Sequence, residues 1–460
     1  MTRTRLLALA VLVTTPAFAK PPPPAVLAKL EKNDVKPFAA KVKQACGPTV
    51  KATVKLAAPP DADSRPYAVK DVGAFLARAA ASKDLTRNAL DPVVEGLKAV
   101  TKDELGKTAV KQGLKEVVVY AAVGDGFITF ENGVLTVASH IFGDGEGTSI
   151  PADLVEKTLV WGLEIDEPHV GHRVALQHRR AIETIEAKEI APFKEKLKAF
   201  APKTTVTVRY DPLTDAEDPH YAVKDPGHYL VRAGLTEHQL TLFTLTLTLD
   251  ALKAVASDDA GKAALASELK ELVVLTTVGE GVLSVKDGVL TVGSHIFGDG
   301  LGSSIPSSAI EQALRNGLMV SDPDSGEKLP LGHLLAKQRI EAKHIAPFKK
   351  KVAEVLGPSV TVTAKYSPPP KDDQPVKDAA KYLAQVADST NFTINGLDQV
   401  VAALKAQEGR KQVKSIVVYV LVGDSFATLS DGVLSVGGHA VMDGLGSFLH
   451  EEQVARALKR

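Results

Sequence analysis

One cysteine, Cys46, stands in 460 residues, so no disulfide can form within the chain. The residues matching it further along, near Ala201 and Leu356, are apolar, which reads Cys46 as a small buried hydrophobe. Excess charge is lacking too: 55 basic residues balance 55 acidic ones. Without a basic footprint to neutralise phosphates, nucleic acid is excluded as a partner, and the balance gives no pull towards an anionic membrane surface. Beyond the N-terminal segment no run reaches the roughly 18 apolar residues of a membrane span, so no transmembrane anchor is expected. Familiar catalytic signatures are missing as well. The sequence has no Gly-x-Ser-x-Gly elbow, no His-Glu-x-x-His pair and no recurring Cys–His pair.

What the sequence does have is repetition. Residues 123–151, VGDGFITFENGVLTVASHIFGDGEGTSIP, return as VGEGVLSVKDGVLTVGSHIFGDGLGSSIP from Val278 and as VGDSFATLSDGVLSVGGHAVMDGLGSFLH from Val422. Aligned, these place His140, His295 and His439 in one column and Asp144, Asp299 and Asp443 in another, each Asp followed by Gly-x-Gly. From His140 to His295 is 155 residues and from His295 to His439 is 144, too long for a solenoid period of about 20–50 residues. At roughly 150 residues per domain the length gives the same count: three tandem homologous domains.

The first 19 residues read as a signal peptide, with Arg3 and Arg5, a short apolar core at 6–13, and Ala17-Phe18-Ala19 as the cleavage pattern before Lys20. Residues 20–29 are expected to be a Pro-rich spacer, stiff and extended over Lys20 to Pro24. Domains are expected at 30–160, 185–318 and 340–460, with a helical linker at 161–184 and a second linker at 319–339. No cysteine stands at the cleavage point to carry a lipid. The product is therefore expected to be exported, to the bacterial periplasm or the medium.

Within each domain a Pro-Phe pair, at Pro37, Pro192 or Pro347, precedes a Lys-rich amphipathic run. The proline either starts a helix or kinks one entering from upstream, and Phe38, Phe193 and Phe348 are core anchors. An alternating strand follows, then a polar loop ending in Val-Lys-Asp, where Asp71, Asp225 or Asp378 caps the next helix. Residues 241–249 alternate Thr with Leu and read as a strand, with a buried helix face as the alternative. Residues 116–123, 271–278 and 415–422 are near-continuous β-formers, fit for a sheet centre. A shorter strand, a tight turn at Asn132-Gly133, Asp287-Gly288 or Asp431-Gly432, a third strand ending at the recurring His, and a last helix complete the unit. The fold class is α+β: in each domain an antiparallel sheet whose C-terminal strands form a three-stranded meander, with helices mainly on one face.

The His-x-x-x-Asp-Gly-x-Gly turn is the candidate binding turn, made of His140 and Asp144, His295 and Asp299, and His439 and Asp443. Its first reading is architectural: the His bonds loop backbone, the Asp makes an Asx-turn and the glycines supply left-handed φ. As a metal site, the imidazole and carboxylate would be joined by Asp125, Glu280 or Asp424, acids that recur upstream. Two protein ligands alone fall short of the three or four such a site needs. A general acid–base pair is a third reading. Gly143, Gly145 and Gly147 ahead of a helix would also present amides to an anion, but their spacing fits no phosphate loop and Met442 replaces the first glycine in the third copy. Ser139 and Ser294 adjoin the recurring His, yet Gly438 takes that place in the third copy, which disfavours a shared serine mechanism. His172 and His333 each follow a glycine in the linkers, without an acidic partner at recognisable spacing, and read as structural or surface residues.

The expected function is an exported, non-enzymatic binding or scaffold protein that uses three similar domains multivalently. No cofactor is expected, and the partner is an unknown protein or small molecule of the cell envelope. The alternative is a metal-binding protein or metal-dependent hydrolase that uses the recurring turn and a divalent metal.

Overall fold

The computed structural model describes residues 22–212, 223, 225–236, 238–297, 302–323, 326–369, 376, 378–441 and 446–459. The expected signal peptide and the candidate residues Asp299 and Asp443 lie outside the described residues. The fold is mixed α+β. Its first sheet holds β1 (Lys51–Lys55), β2 (Glu116–Tyr120), β3 (Phe127–Glu131) and β4 (Val134–Ala138), followed by a separate hairpin of β5 (Glu164–Glu167) and β6 (His172–Ala175). The second sheet holds β7 (Thr205–Arg209), β8 (Glu271–Leu275), β9 (Val282–Lys286) and β10 (Val289–Gly293), again followed by a hairpin, β11 (Met319–Ser321) and β12 (Lys328–Pro330). The third holds β13 (Thr361–Lys365), β14 (Ser415–Tyr419), β15 (Phe426–Ser430) and β16 (Val433–Gly437).

In chain order the helices of the first repeat are α1 (Pro24–Leu30), α2 (Lys36–Cys46), α3 (Val72–Ala81), α4 (Asp91–Val100), α5 (Glu104–Gly113) and α6 (Ala152–Gly162). Those of the second are α7 (Leu176–Ile185), α8 (Ala191–Leu197), α9 (Pro226–Leu235), α10 (Thr246–Val255), α11 (Asp259–Glu268) and α12 (Ser307–Gly317). The third has α13 (Leu331–Ile340), α14 (Ala346–Leu356), α15 (Ala379–Asp388), α16 (Asp398–Ala406) and α17 (Glu451–Leu458). Three similar four-stranded sheets are consistent with three repeated domains. Packing gathers the chain into two compact units, one containing the first sheet and Gly227–Leu235, the other the second and third sheets.

The sheets correct the antiparallel meander expected from sequence. Strand order in the first is β1-β2-β4-β3, with β1 and β4 both parallel to β2 and only β3 antiparallel to its neighbour β4. The second and third sheets repeat that order. The chain leaves β2, passes to the sheet edge as β3, and returns between them as β4. Burial explains the choice: Leu135, Val137 and Ala138 of β4 are buried, whereas β3 has no buried residue and suits an edge. The return is a tight turn in which Asn132 at φ 53° and Gly133 at φ 84° both take the left-handed conformation a two-residue hairpin demands. β2 has neighbours on both sides, and its alternate residues serve two clusters. Val117 and Val119 enter the main core beside Leu76, Leu97, Leu135 and Leu159, while Val118, Tyr120 and Ala138 form a smaller cluster with Phe127.

Residues 241–249 are helical rather than extended: a π turn, Thr241–Leu245, runs into α10. Leu245, Thr248 and Leu252 are buried at helical spacing, and the Thr248 hydroxyl, 2.7 Å from the Thr244 carbonyl, satisfies itself within the helix. Similar π turns precede the recurring prolines, at Glu31–Val35, Glu186–Ile190 and Glu341–Ile345. A proline lacks the N–H of the α ladder and crowds the carbonyl four residues back. The wider turn absorbs that mismatch, so the helix from upstream continues through Pro37, Pro192 and Pro347.

The connectors are not helical throughout. Each begins with the short hairpin and becomes helical only at α7 or α13. This separates two histidines that follow a glycine in the sequence: His172 begins strand β6, whereas His333 lies in the first turn of α13, where α7 carries His178. Each hairpin is tied to its helix by a buried ion pair, Glu167 with Arg179 and Asp322 with Lys337, the latter at 2.8 Å.

Candidate functional site

The recurring turn closes on itself by three devices. The His ring is the first. Nδ1 of His140 lies 2.8 Å from the Val123 carbonyl, that of His295 3.2 Å from Val278 and that of His439 3.1 Å from Val422. A carbonyl only accepts, so Nδ1 is the donor in each copy. The backbone adds a second bond, from the His amide to the carbonyl of Thr148, Ser303 or Ser447, at 2.9, 3.0 and 2.8 Å.

The hydroxyls of those three residues are the second device. Thr148 Oγ1 accepts from the Gly126 amide at 2.7 Å, Ser303 Oγ from Gly281 at 3.2 Å and Ser447 Oγ from Ser425 at 2.8 Å. Asp125 is held by this hydroxyl, accepting from Thr148 Oγ1 at 2.8 Å, and Asp424 accepts from Ser447 at 3.3 Å. The glycines are the third. A Cβ on Gly147 would lie 1.7 Å from the Gly124 carbonyl oxygen and 2.7 Å from the His140 ring, and Gly302 and Gly446 meet Gly279, His295, Gly423 and His439 in the same way. The chain crosses itself at van der Waals contact, and only glycine leaves room for the ring.

In the first repeat the turn carries one further layer. His140 Nε2 sits 2.8 Å from Asp144 Oδ1, and Arg78 on α3 donates to Asp144 Oδ2 at 2.9 Å while stacking over Phe142 at 3.7 Å. Asp144 also accepts from the Glu146 amide at 3.3 Å, an Asx-turn. Desolvation opposes its ionisation, but the bonds from His140, Glu146 and Arg78 outweigh it and hold the carboxyl down at about 2. Both nitrogens of His140 are thus engaged. Among the described residues no group of three or more His, Cys, Asp and Glu is placed to hold a metal ion.

The neighbouring serines are stitches. Ser139, fully buried, accepts from the Ile150 amide at 2.9 Å and donates to the Asn88 carbonyl at 3.1 Å, and Ser294 accepts from Ile305 at 3.1 Å. A Cβ on Gly438 would stand 2.7 Å from the Leu449 amide nitrogen, which accounts for the missing serine in the third copy. Cys46 is buried, and burial pushes its thiol up to about 12. His172 is exposed, its Nδ1 3.2 Å from the Val170 carbonyl.

A second recurring polar element is not evident from the sequence. Three residues ahead of each recurring proline, in the π turn, stand Asp34, Glu189 and His344, all buried. Each bonds the first residue of a second π turn: Asp34 accepts from the Thr86 hydroxyl, Glu189 from the Thr241 amide at 2.6 Å, and His344 Nδ1 pairs with the Thr393 hydroxyl at 2.7 Å. The position escapes pattern reading because its residue type changes while its job, clamping two π turns, stays the same. Burial lowers the pKa of His344, the Ala387 and Val386 carbonyls opposing and Lys343 reinforcing the shift.

No helix among the described residues is long and apolar enough to cross a membrane. No family model, no curated protein and no solved structure matches the chain.

Proposed function

We propose that the chain is an exported, non-enzymatic binding protein of the bacterial periplasm or medium, presenting three similar domains, at 30–160, 185–318 and 340–460, to a multivalent partner in the cell envelope. In this reading each domain is an α+β unit with its helices mainly on one sheet face, and residues 1–19 are the export signal. One observation carries it: the recurring histidines are engaged by the turn itself, since each donates Nδ1–H to a valine carbonyl. Repeated histidines that serve the turn favour presentation over catalysis, because linked modules gain avidity with no new chemistry.

The test is dissociation of the full chain from envelope fragments coated on a sensor at low and high density. Slower release from the dense surface is the expected result; equal rates overturn multivalent use. Elemental analysis covers the metal-dependent alternative, which less than about one equivalent of tightly held metal per chain would sink.

A further inference from the structure

Strand register puts the same kind of row on one face of each sheet. Across the first sheet Thr53 of β1, Val118 of β2, Thr136 of β4 and Thr129 of β3 are register partners. In the second sheet the row is Thr207, Val273, Thr291 and Ser284. In the third it is Thr363, Val417, Ser435 and Thr428. Side chains alternate along a strand, so the first row faces away from Val117, Val119, Leu135 and Val137 of the main core. The other two likewise lie opposite the buried Leu272 and Val274, and Ile416 and Val418. The hydroxyl-bearing residue on β3, β9 or β15 is exposed in every copy. We infer that these three sheet faces bind a neutral polysaccharide. The inference rests on the binding-protein reading and gives it a class of partner.

Strand propensity does not account for the hydroxyls. Threonine suits a strand, but one row further from the recurring turn, on the same face, residue type drifts. There the first strand of the sheet holds Lys51, Thr205 or Thr361, and the edge strand Glu131, Lys286 or Ser430. In the row itself every position other than the valine is Thr or Ser. Among the described residues the hydroxyls of Thr129, Thr136, Thr291, Ser435 and Thr428 bond to no protein group. Thr53 and Thr207 donate to Glu116 at 2.6 Å and Glu271 at 2.5 Å, which leaves their oxygens able to accept.

Charge and area select the partner. Glu116 and Glu271 sit beside the row in two copies and repel a polyanion. On the row's other side Lys55, Arg209 and Lys365 end β1, β7 and β13 and repel a polycation. A ligand common to the three faces is therefore neutral. Four strands about 4.8 Å apart and five residues of about 3.3 Å give each face about 300 Å². That is well under the roughly 800 Å² each partner contributes to a stable protein complex, and a peptide joins a sheet at its edge rather than on its face. A glycan meets both conditions. Its hydroxyls donate and accept as those of the row do, its C–H groups suit the valine, and a repeating polymer needs only a small contact on each of three faces.

The experiment titrates a soluble, unbranched glucan, end-labelled with fluorescein, with the full chain and follows anisotropy, beside a mannan, polygalacturonate and polylysine. At least one neutral glycan should bind saturably and without salt dependence, and neither charged polymer should bind more tightly. The triple variant Thr136→Val/Thr291→Val/Ser435→Val removes one hydroxyl from each row and keeps a strand former in place. Its Kd should rise about tenfold or more, whereas Thr205→Val/Thr361→Val, one row away, should leave Kd unchanged. Should the triple variant unfold in a thermal melt, Thr129→Val/Ser284→Val/Thr428→Val tests the same rows from exposed positions. Absence of saturable binding to both neutral glycans, tighter binding of a charged polymer, or a Kd unmoved by the row variants overturns the assignment. Density-dependent release from envelope fragments that persists in the row variants would remove the sheet faces but leave the binding-protein reading standing; equal release rates for the native chain at both densities would remove that reading by itself.

Discussion

Gly147 lies so close to Gly124 that a Cβ on it would stand 1.7 Å from the Gly124 carbonyl oxygen. Neither of these backbone segments can retreat, because the His140 amide and ring are bonded on the same crossing. Gly147→Ala should therefore destabilise the fold by about 3 kcal/mol, the upper part of the overpacking range. A Cβ on Gly143 would meet nothing within 4 Å, and Gly143→Ala should stay within about 0.5 kcal/mol. Urea unfolding of the two variants checks the contrast, and equal midpoints would refute it.

Asp144 should give the protein an acid-sensitive margin. Its carboxyl is held at about 2, below the roughly 3.9 of an unfolded chain, so the contribution is complete above about pH 4 and disappears as the pH falls through about 2. With 22 % of the side chain exposed to water, solvent screening reduces the effect to about 1 kcal/mol. Comparing native and Asp144→Asn chains in urea at pH 7 and near pH 2 should show the gap narrowing with acid.

His344 should make the third repeat respond to mild acid where the others do not. Burial lowers its pKa, so the folded state resists a proton that the unfolded chain accepts below about 6.5. Stability is whole above that value and declines as the pH falls below it. Hydrogen exchange across Glu341–Ile345 and Thr393–Leu397 should accelerate between pH 7.5 and 5.5, beyond the intrinsic change, and His344→Gln should remove the acceleration. The segments around Asp34 and Glu189 serve as internal controls.

Cys46 should be inert to thiol reagents in the folded protein. Burial pushes the thiol up to about 12, leaving almost no thiolate at pH 8. Modification by a chromogenic disulfide should follow urea unfolding, with the same midpoint as the loss of helical circular dichroism. Prompt reaction of the native chain would contradict the packing around α2.

The central strand β2 can be read from Val117, Val118 and Val119 because a strand covered on both faces buries successive residues. Asn132-Gly133 was equally plain, since few residues tolerate φ above zero. Strand order was not. A short link between β2 and β3 looks locally like a hairpin, and the deciding fact, that β4 is the more buried of the later strands, needs all three strands compared at once. The Thr-Leu alternation of 241–249 satisfied strand spacing, yet Leu245 and Leu252 also lie seven apart, the spacing of one helix face.

The candidate turn divides in the same way. Its glycines and histidines stand out in the sequence because they are close together in each copy. Arg78, which completes the layer around Asp144, comes from 66 residues upstream and carries no local signal. The π-turn clamp was hidden for a chemical reason: an aspartate, a glutamate and a histidine do one job, so identity varies where geometry does not.

The parallel pairing of β2 with β4 bears on how the chain acquires its structure. The β3–β4 hairpin closes locally within microseconds, but β1 and β2 join across more than sixty residues and must wait. During that interval the β4 sequence Val-Leu-Thr-Val and the identical opening of β10 are near-equal candidates for either waiting β2-type strand. Exchange between neighbours is the characteristic error of such tandem chains, and emergence of the first repeat from the ribosome before the second exists is what separates them in time.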